Sequence, residues 1–152
     1  MHSLTWNGEG SSTNWKSLTE KNPILHPTVP TTTRCRRRRC LACRWTAYRH
    51  QVPHLFQRVP QRVTCTTSGV IYMIKCTRRQ CSQWRVVRET GCPLHIRCNS
   101  LRYAIQHWGY GRVAAHFNQL EGDHSPWIMV LETVTGGRLQ RSIRKQFWDQ
   151  RV

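Results

Sequence analysis

Cysteine and histidine are the residues of this 152-residue sequence whose types and spacing could do chemistry, and most of the cysteines fall into two groups. In the downstream group Cys76-x4-Cys81 is followed by His116 and His124. Two thiolates and two imidazoles suit a tetrahedral zinc ion, and four protein donors leave no position open for water, so such a centre would be structural. In the upstream group Cys35, Cys40 and Cys43 follow a C-x4-C-x2-C pattern, with Cys65 as candidate fourth thiolate and His50 or His54 as alternatives. The stretch from Cys43 to Cys65 has no clear period, so closing it with a metal would be its evident source of order. The competing readings are free buried thiols with surface histidines downstream, and a disordered basic arm with incidental cysteines upstream. Cys92 and Cys98 have no partner set and read as incidental.

Four consecutive arginines, Arg36, Arg37, Arg38 and Arg39, sit between Cys35 and Cys40. They are the densest part of a chain with 24 basic and 7 acidic residues and a net charge of +17, a balance that excludes an ordinary neutral metabolic enzyme. Charge of this size calls for a polyanionic partner. Arginine outnumbers lysine, and its planar fork matches phosphate, which favours nucleic acid, with DNA expected, over a membrane surface. No run of eighteen apolar residues and no basic stretch leading into an apolar one is present, so neither a membrane span nor a secretory signal is expected. The expected setting is intracellular and nuclear, where reduced thiols favour metal over disulfides.

These groups need elements to hold them in place. Residues 1–33 are rich in Ser, Thr, Asn and Pro, with Pro23, Pro27 and Pro30 interrupting any pattern, and read as a disordered tail. Residues 34–64 form a basic, cysteine-rich segment whose second half reads as a loop-rich connector, and residues 65–150 carry the regular patterns. Residues 69–75 and 84–87 are short apolar runs expected to be strands, with Cys76 and Cys81 in the hairpin loop between them. Pro93 opens a helix along which Leu94, Leu101 and Ile105 repeat, ending near Gly109; a shorter helix is expected over 113–120 and a third strand over 127–134. Leu139, Ile143 and Phe147 fall at i, i+4 and i+8, which predicts an amphipathic helix over 138–149. The predicted fold is α/β: a small three-stranded, mostly antiparallel sheet flanked by helices.

Three stretches on those elements share a pattern with a known family. Gly69-Val70-Ile71-Tyr72 opens the first strand, Thr90-Gly91-Cys92-Pro93-Leu94-His95-Ile96-Arg97 leads into the helix, and Ile143-Arg144-Lys145-Gln146-Phe147-Trp148 lies in the last one. With cysteines between the strands and His116-Phe117 afterwards, residues 65–150 resemble a degenerate copy of the GIY-YIG nuclease domain, and the upstream cysteines extend the similarity to Penelope-like retroelements. The resemblance implies that Tyr72 and Arg97 match catalytic positions, and that the element of two cysteines and two histidines is a structural zinc site woven into the fold. It also implies losses. The second motif would place its tyrosine at Val86 and its glycine at Arg88, the helical histidine position is Leu101, and Lys145 stands where the family's metal-binding glutamate belongs.

Family members cleave phosphodiesters with one magnesium or manganese ion held by that glutamate, the arginine steadying the transition state. A lysine offers no oxygen ligand and repels the ion. The expectation is therefore a nucleic-acid-binding remnant without catalysis, with zinc as its cofactor. The alternatives are an active single-metal endonuclease using magnesium or manganese, and a translated relic with no function.

Overall fold

The structure, a computed structural model, describes residues 28–46, 56–119 and 124–152. In chain order the elements are β1 (Thr28–Thr32), α1 (Leu41–Trp45), β2 (Gln57–Val63), β3 (Val70–Cys76), a 3-10 turn (Arg79–Cys81), β4 (Arg85–Thr90), α2 (Leu94–Gln106), α3 (Arg112–Phe117), β5 (Pro126–Thr133) and α4 (Arg138–Asp149). The result is a mixed α/β molecule built on a three-stranded antiparallel sheet ordered β4-β3-β5, as the hydrophobic pattern predicts.

Strand β3 is apolar nearly throughout because it is the central strand and is covered on both faces. Its alternate side chains Val70, Tyr72, Ile74 and Cys76 pack with Leu94 and Cys98 of α2 and with Val113 and Phe117 of α3. On the opposite face Ile71 and Met73 pack with Met129 and Leu131 of β5, Trp148 of α4 and Val29 of β1. Strand β4 runs three residues beyond the predicted 84–87 and carries two arginines, which its place at the sheet edge permits: Arg85 is exposed and Arg88 half-buried.

Gly69 precedes β3 with φ +66°, and a Cβ added there would lie 2.8 Å from the Val134 carbonyl oxygen. The Val134 amide donates to the Gly69 carbonyl at 2.7 Å, so β5 closes directly onto this residue. Gly69→Ala is therefore expected to cost about 1–3 kcal/mol through left-handed strain and lost approach. A lower denaturant midpoint at unchanged m-value would register it.

Two expectations are corrected. Residues 28–32 fall within the expected tail and 57–62 within the expected connector, yet they form a two-stranded parallel sheet, with Thr28 opposite Gln57 and Thr32 opposite Val63. Both strands contain proline, which hides them from pattern reading; the pairing tolerates Pro30 at a register shift, where no ladder donor is needed. Residues 1–27 and 47–55, including His50 and His54, lie outside the described residues.

Helix α4 has the predicted bounds but turns a different face inward. Leu139 is 72% and Ile143 51% exposed, while Trp148 is buried. What docks the helix is an ionic row: Arg141 Nε meets Glu89 at 2.6 Å, and Arg144 Nη2 and the Trp148 indole N–H both reach Glu132, at 2.9 and 2.8 Å. The sheet offers two carboxylates along this side, so arginine satisfies it where leucine could not. Among the described residues no helix is long and apolar enough to cross a membrane.

Candidate metal centres and basic cleft

Cys35, Cys40, Cys43 and Cys65 converge so that their sulfurs all lie within 4.8 Å of one another. Cys35 and Cys43 Sγ are 3.5 Å apart, and Cys40 and Cys65 Sγ 3.7 Å. A disulfide would need about 2.05 Å, whereas four thiolates around one ion at a metal–sulfur distance of about 2.3 Å stand about 3.8 Å apart. This group could hold a metal ion. Cys65 supplies the fourth donor at the point where the chain enters β3, and its carbonyl accepts the His95 amide at 2.7 Å, satisfying an orphan donor at the start of α2.

The thiols differ in readiness to ionise. The Arg37 backbone amide, as hydrogen-bond donor, holds Cys35 down at about 7, while burial pushes Cys43 up to about 11 and Cys65 higher still. A metal entering this group has to displace protons from the buried thiols. Cys98, at the floor of the same core, is pushed to about 12 by burial and stands outside the four.

Cys76, Cys81, His116 and His124 form the second convergent group, again within 4.8 Å. Cys76 closes β3, Cys81 ends the 3-10 turn, His116 sits on α3 and His124 just precedes β5. His124 Nδ1 lies 3.3 Å from Cys76 Sγ and 3.6 Å from Cys81 Sγ. His116 Nε2 is buried with no hydrogen-bond partner among the described residues. A neutral imidazole nitrogen left unsatisfied beside two sulfurs is poised to donate its lone pair to a cation. Burial, then the neighbouring His124, lowers the His116 pKa and keeps it in the neutral, ligating form. Arg78 Nη1 stands 2.8 Å from His124 Nε2 and can only donate, so the ring proton faces the sulfurs; ligation through Nδ1 would shift that proton and turn Arg78 away.

The sequence reading did not identify Trp84 in this group. Its ring stacks on His116 at 4.0 Å and 14°, and meets Phe117 edge-on at 5.3 Å, fixing the imidazole plane. No spacing rule ties residue 84 to residue 116, so only the folded arrangement reveals it.

Tyr72 lies between the two centres on the same face of β3, opposite Arg88 of β4. Burial pushes its phenol above the usual range against the pull of the neighbouring Arg97 guanidinium. Tyr72, Arg88, Arg97, Ser100, Leu101 and Tyr110 line an open cleft of roughly 230 Å³ in which, among the described residues, no carboxylate takes part. Lys145 borders an adjoining depression with Arg88 and Arg112, its Nζ 2.8 Å from Asp149. Glu89, Glu132 and Asp149 are each ion-paired, and among the described residues the two Cys/His groups are the sole metal-type clusters. Arg36 to Arg39 are exposed, and Arg37, Arg38 and Arg39 line a groove with His95, Asn99 and Arg102 of α2. Comparison with protein-family models, curated proteins and solved structures finds no match to this chain.

Proposed function

We propose that this chain binds nucleic acid, DNA in particular, through a nuclease-like cleft that has lost its catalytic metal, on a scaffold held by two structural zinc ions. The observation that carries the reading is the Tyr72, Arg88 and Arg97 cleft: two guanidinium groups and a phenol converge where, among the described residues, no carboxylate is present to bind a hard cation. Such a site suits a phosphate oxygen. The order of elements around it, hairpin, helix, strand and helix, agrees with the resemblance to the GIY-YIG domain of Penelope-like retroelements, and DNA as partner makes the nucleus its natural setting.

Zinc is the ion best matched to the donors, since a set of four thiolates and a set of two thiolates with two imidazoles are both soft and tetrahedral. Bound in either group it would supply cross-links and no reaction, because all four positions are taken by protein. Cys35, Cys40, Cys43 and Cys65 would anchor the arginine loop; Cys76, Cys81, His116 and His124 would tie the hairpin to α3. Magnesium or manganese does not fit the cleft, where lysine and arginine occupy the approach. Arg97 and Arg88 then hold a phosphate electrostatically, and Tyr72, kept protonated by burial, can donate to it.

The test is duplex DNA binding as a function of salt. If about six to ten phosphates are neutralised, affinity should fall by about three to five orders of magnitude between roughly 50 and 200 mM salt. Affinity that scarcely changed over that range would count against the reading.

A further inference from the structure

We propose that the turn closing α2, together with the rim of the Tyr72 cleft, is a stacking surface for unpaired nucleotides, on which Tyr103, Trp108 and Tyr110 receive bases while Arg97, Arg88 and Arg112 receive phosphates. The inference rests on the nucleic-acid reading above and specifies which strand form that site takes.

Three aromatic rings within eight residues stand in water: Tyr103 is 65% exposed, Trp108 67% and Tyr110 106%. One exposed ring needs no explanation, but a cluster marks a contact surface. Tyr103 and His107, one helical turn apart, already meet at 4.1 Å between ring centroids, tilted by 36°. Tyr103 lies three residues beyond Ser100, on the helix stripe beside the one that lines the cleft, and Tyr110 itself lines it.

Trp108 carries the strongest signal. The Gly109 amide donates to the Ala104 carbonyl at 2.7 Å, the bond of a helix-terminating turn whose left-handed position is ordinarily glycine. Here that position is Trp108, with φ +53°. Left-handed backbone is strained for a bulky residue, and a ring two-thirds exposed recovers little by burial. A ligand that covers the ring would offset both costs.

Charge complementarity selects the occupant. Arg88 and Arg97 lie in the cleft, Arg112 opens α3 two residues after Tyr110, and no carboxylate among the described residues lines the cleft. An acidic peptide would satisfy the guanidinium groups and leave the rings uncovered. A single strand offers a flat base and a phosphate at every step, matching both, whereas the bases of a duplex are already stacked on one another.

The experiment measures binding of the metal-loaded full chain to a labelled oligothymidine strand and to a duplex of equal length, at matched salt concentrations over a range from low to moderate. Trp108→Gly and Tyr103→Ala should each weaken oligothymidine binding by about fivefold or more and duplex binding by less than about twofold, and Tyr110→Ala, which also alters the cleft, should weaken oligothymidine binding more than duplex binding. Trp108→Gly is the decisive variant, because glycine suits the left-handed turn and the fold should be kept or improved, which thermal unfolding checks. Its salt slope should match that of the unmodified chain, since no phosphate contact is removed. Unchanged oligothymidine affinity in the three variants, or equal losses on strand and duplex, overturns the stacking surface and leaves the phosphate-binding cleft standing. A chain that binds neither nucleic acid at low salt overturns both readings.

Discussion

Stripping metal from the purified protein should abolish its cooperative unfolding transition, and the same protein prepared without chelator should carry two zinc ions per chain. The expectation follows from where the donors sit. Cys65 immediately precedes the turn into β3 and Cys76 is the last residue of that strand, so the two groups clamp opposite ends of the element on which both sheet pairings depend. The donors pack on or against the same side of the sheet, where removing the ions would leave buried thiols and an unsatisfied imidazole facing a core. A structural zinc typically contributes about 10–16 kcal/mol of apparent binding free energy near neutral pH, against about 5–15 kcal/mol of net stability for a whole domain. Losing either ion should then suffice to unfold its end of the molecule. Cys65→Ser and Cys76→Ser should each lower the metal content from two to one, by elemental analysis. Because the ligating forms are thiolate and neutral imidazole, acidification should release metal and lower stability together. An unfolding curve that chelation leaves unchanged would remove both centres as structural elements.

A second expectation concerns cleavage. Supercoiled plasmid incubated with the protein in magnesium or manganese should stay uncut, although it is bound. Loss of one electrostatic stabiliser costs about two to three orders of magnitude in rate, and the position that the proposed resemblance gives to a carboxylate is Lys145, engaged with Asp149 at 2.8 Å. Lys145→Glu breaks that pair and sets two carboxylates one helical turn apart beside Arg88, so it should raise magnesium affinity, readable by calorimetry. Nicking should remain at trace level even then, because Val86 and Leu101 supply no hydroxyl or imidazole for the attacking water. Clear metal-dependent nicking by the unmodified chain, lost in Arg97→Ala, would show that a working metal ligand lies elsewhere.

The metal groups are the most legible feature of the sequence. Clustered thiolates have few other uses, and the sequence offers the downstream set whole but leaves the fourth upstream donor open between Cys65, His50 and His54, where the structure brings Cys65 to the other three cysteines. Tyr72 and Arg97 are readable through the motif, and the structure brings them into one cleft. The packed face of α4 is not readable. An apolar stripe of Leu139, Ile143 and Phe147 predicts burial, but Glu89 and Glu132 on distant strands decide which face docks, and no helical period encodes them. The pairing of β1 with β2 is hidden for a similar reason. Parallel neighbours with proline in each show no alternation, and Val29 joins a core assembled from residues far along the chain.

The donors also differ in when they come into being. On a growing chain the upstream set is complete once Cys65 has been made, before any residue of β3 exists, so its loop of arginines can be organised early. The downstream set waits for His124, and β5 follows directly, so the last imidazole and the last strand of the sheet arrive together. Synthesis thus assigns the two centres an order: the upstream group can close on an unfinished chain, and the downstream group closes as the sheet does.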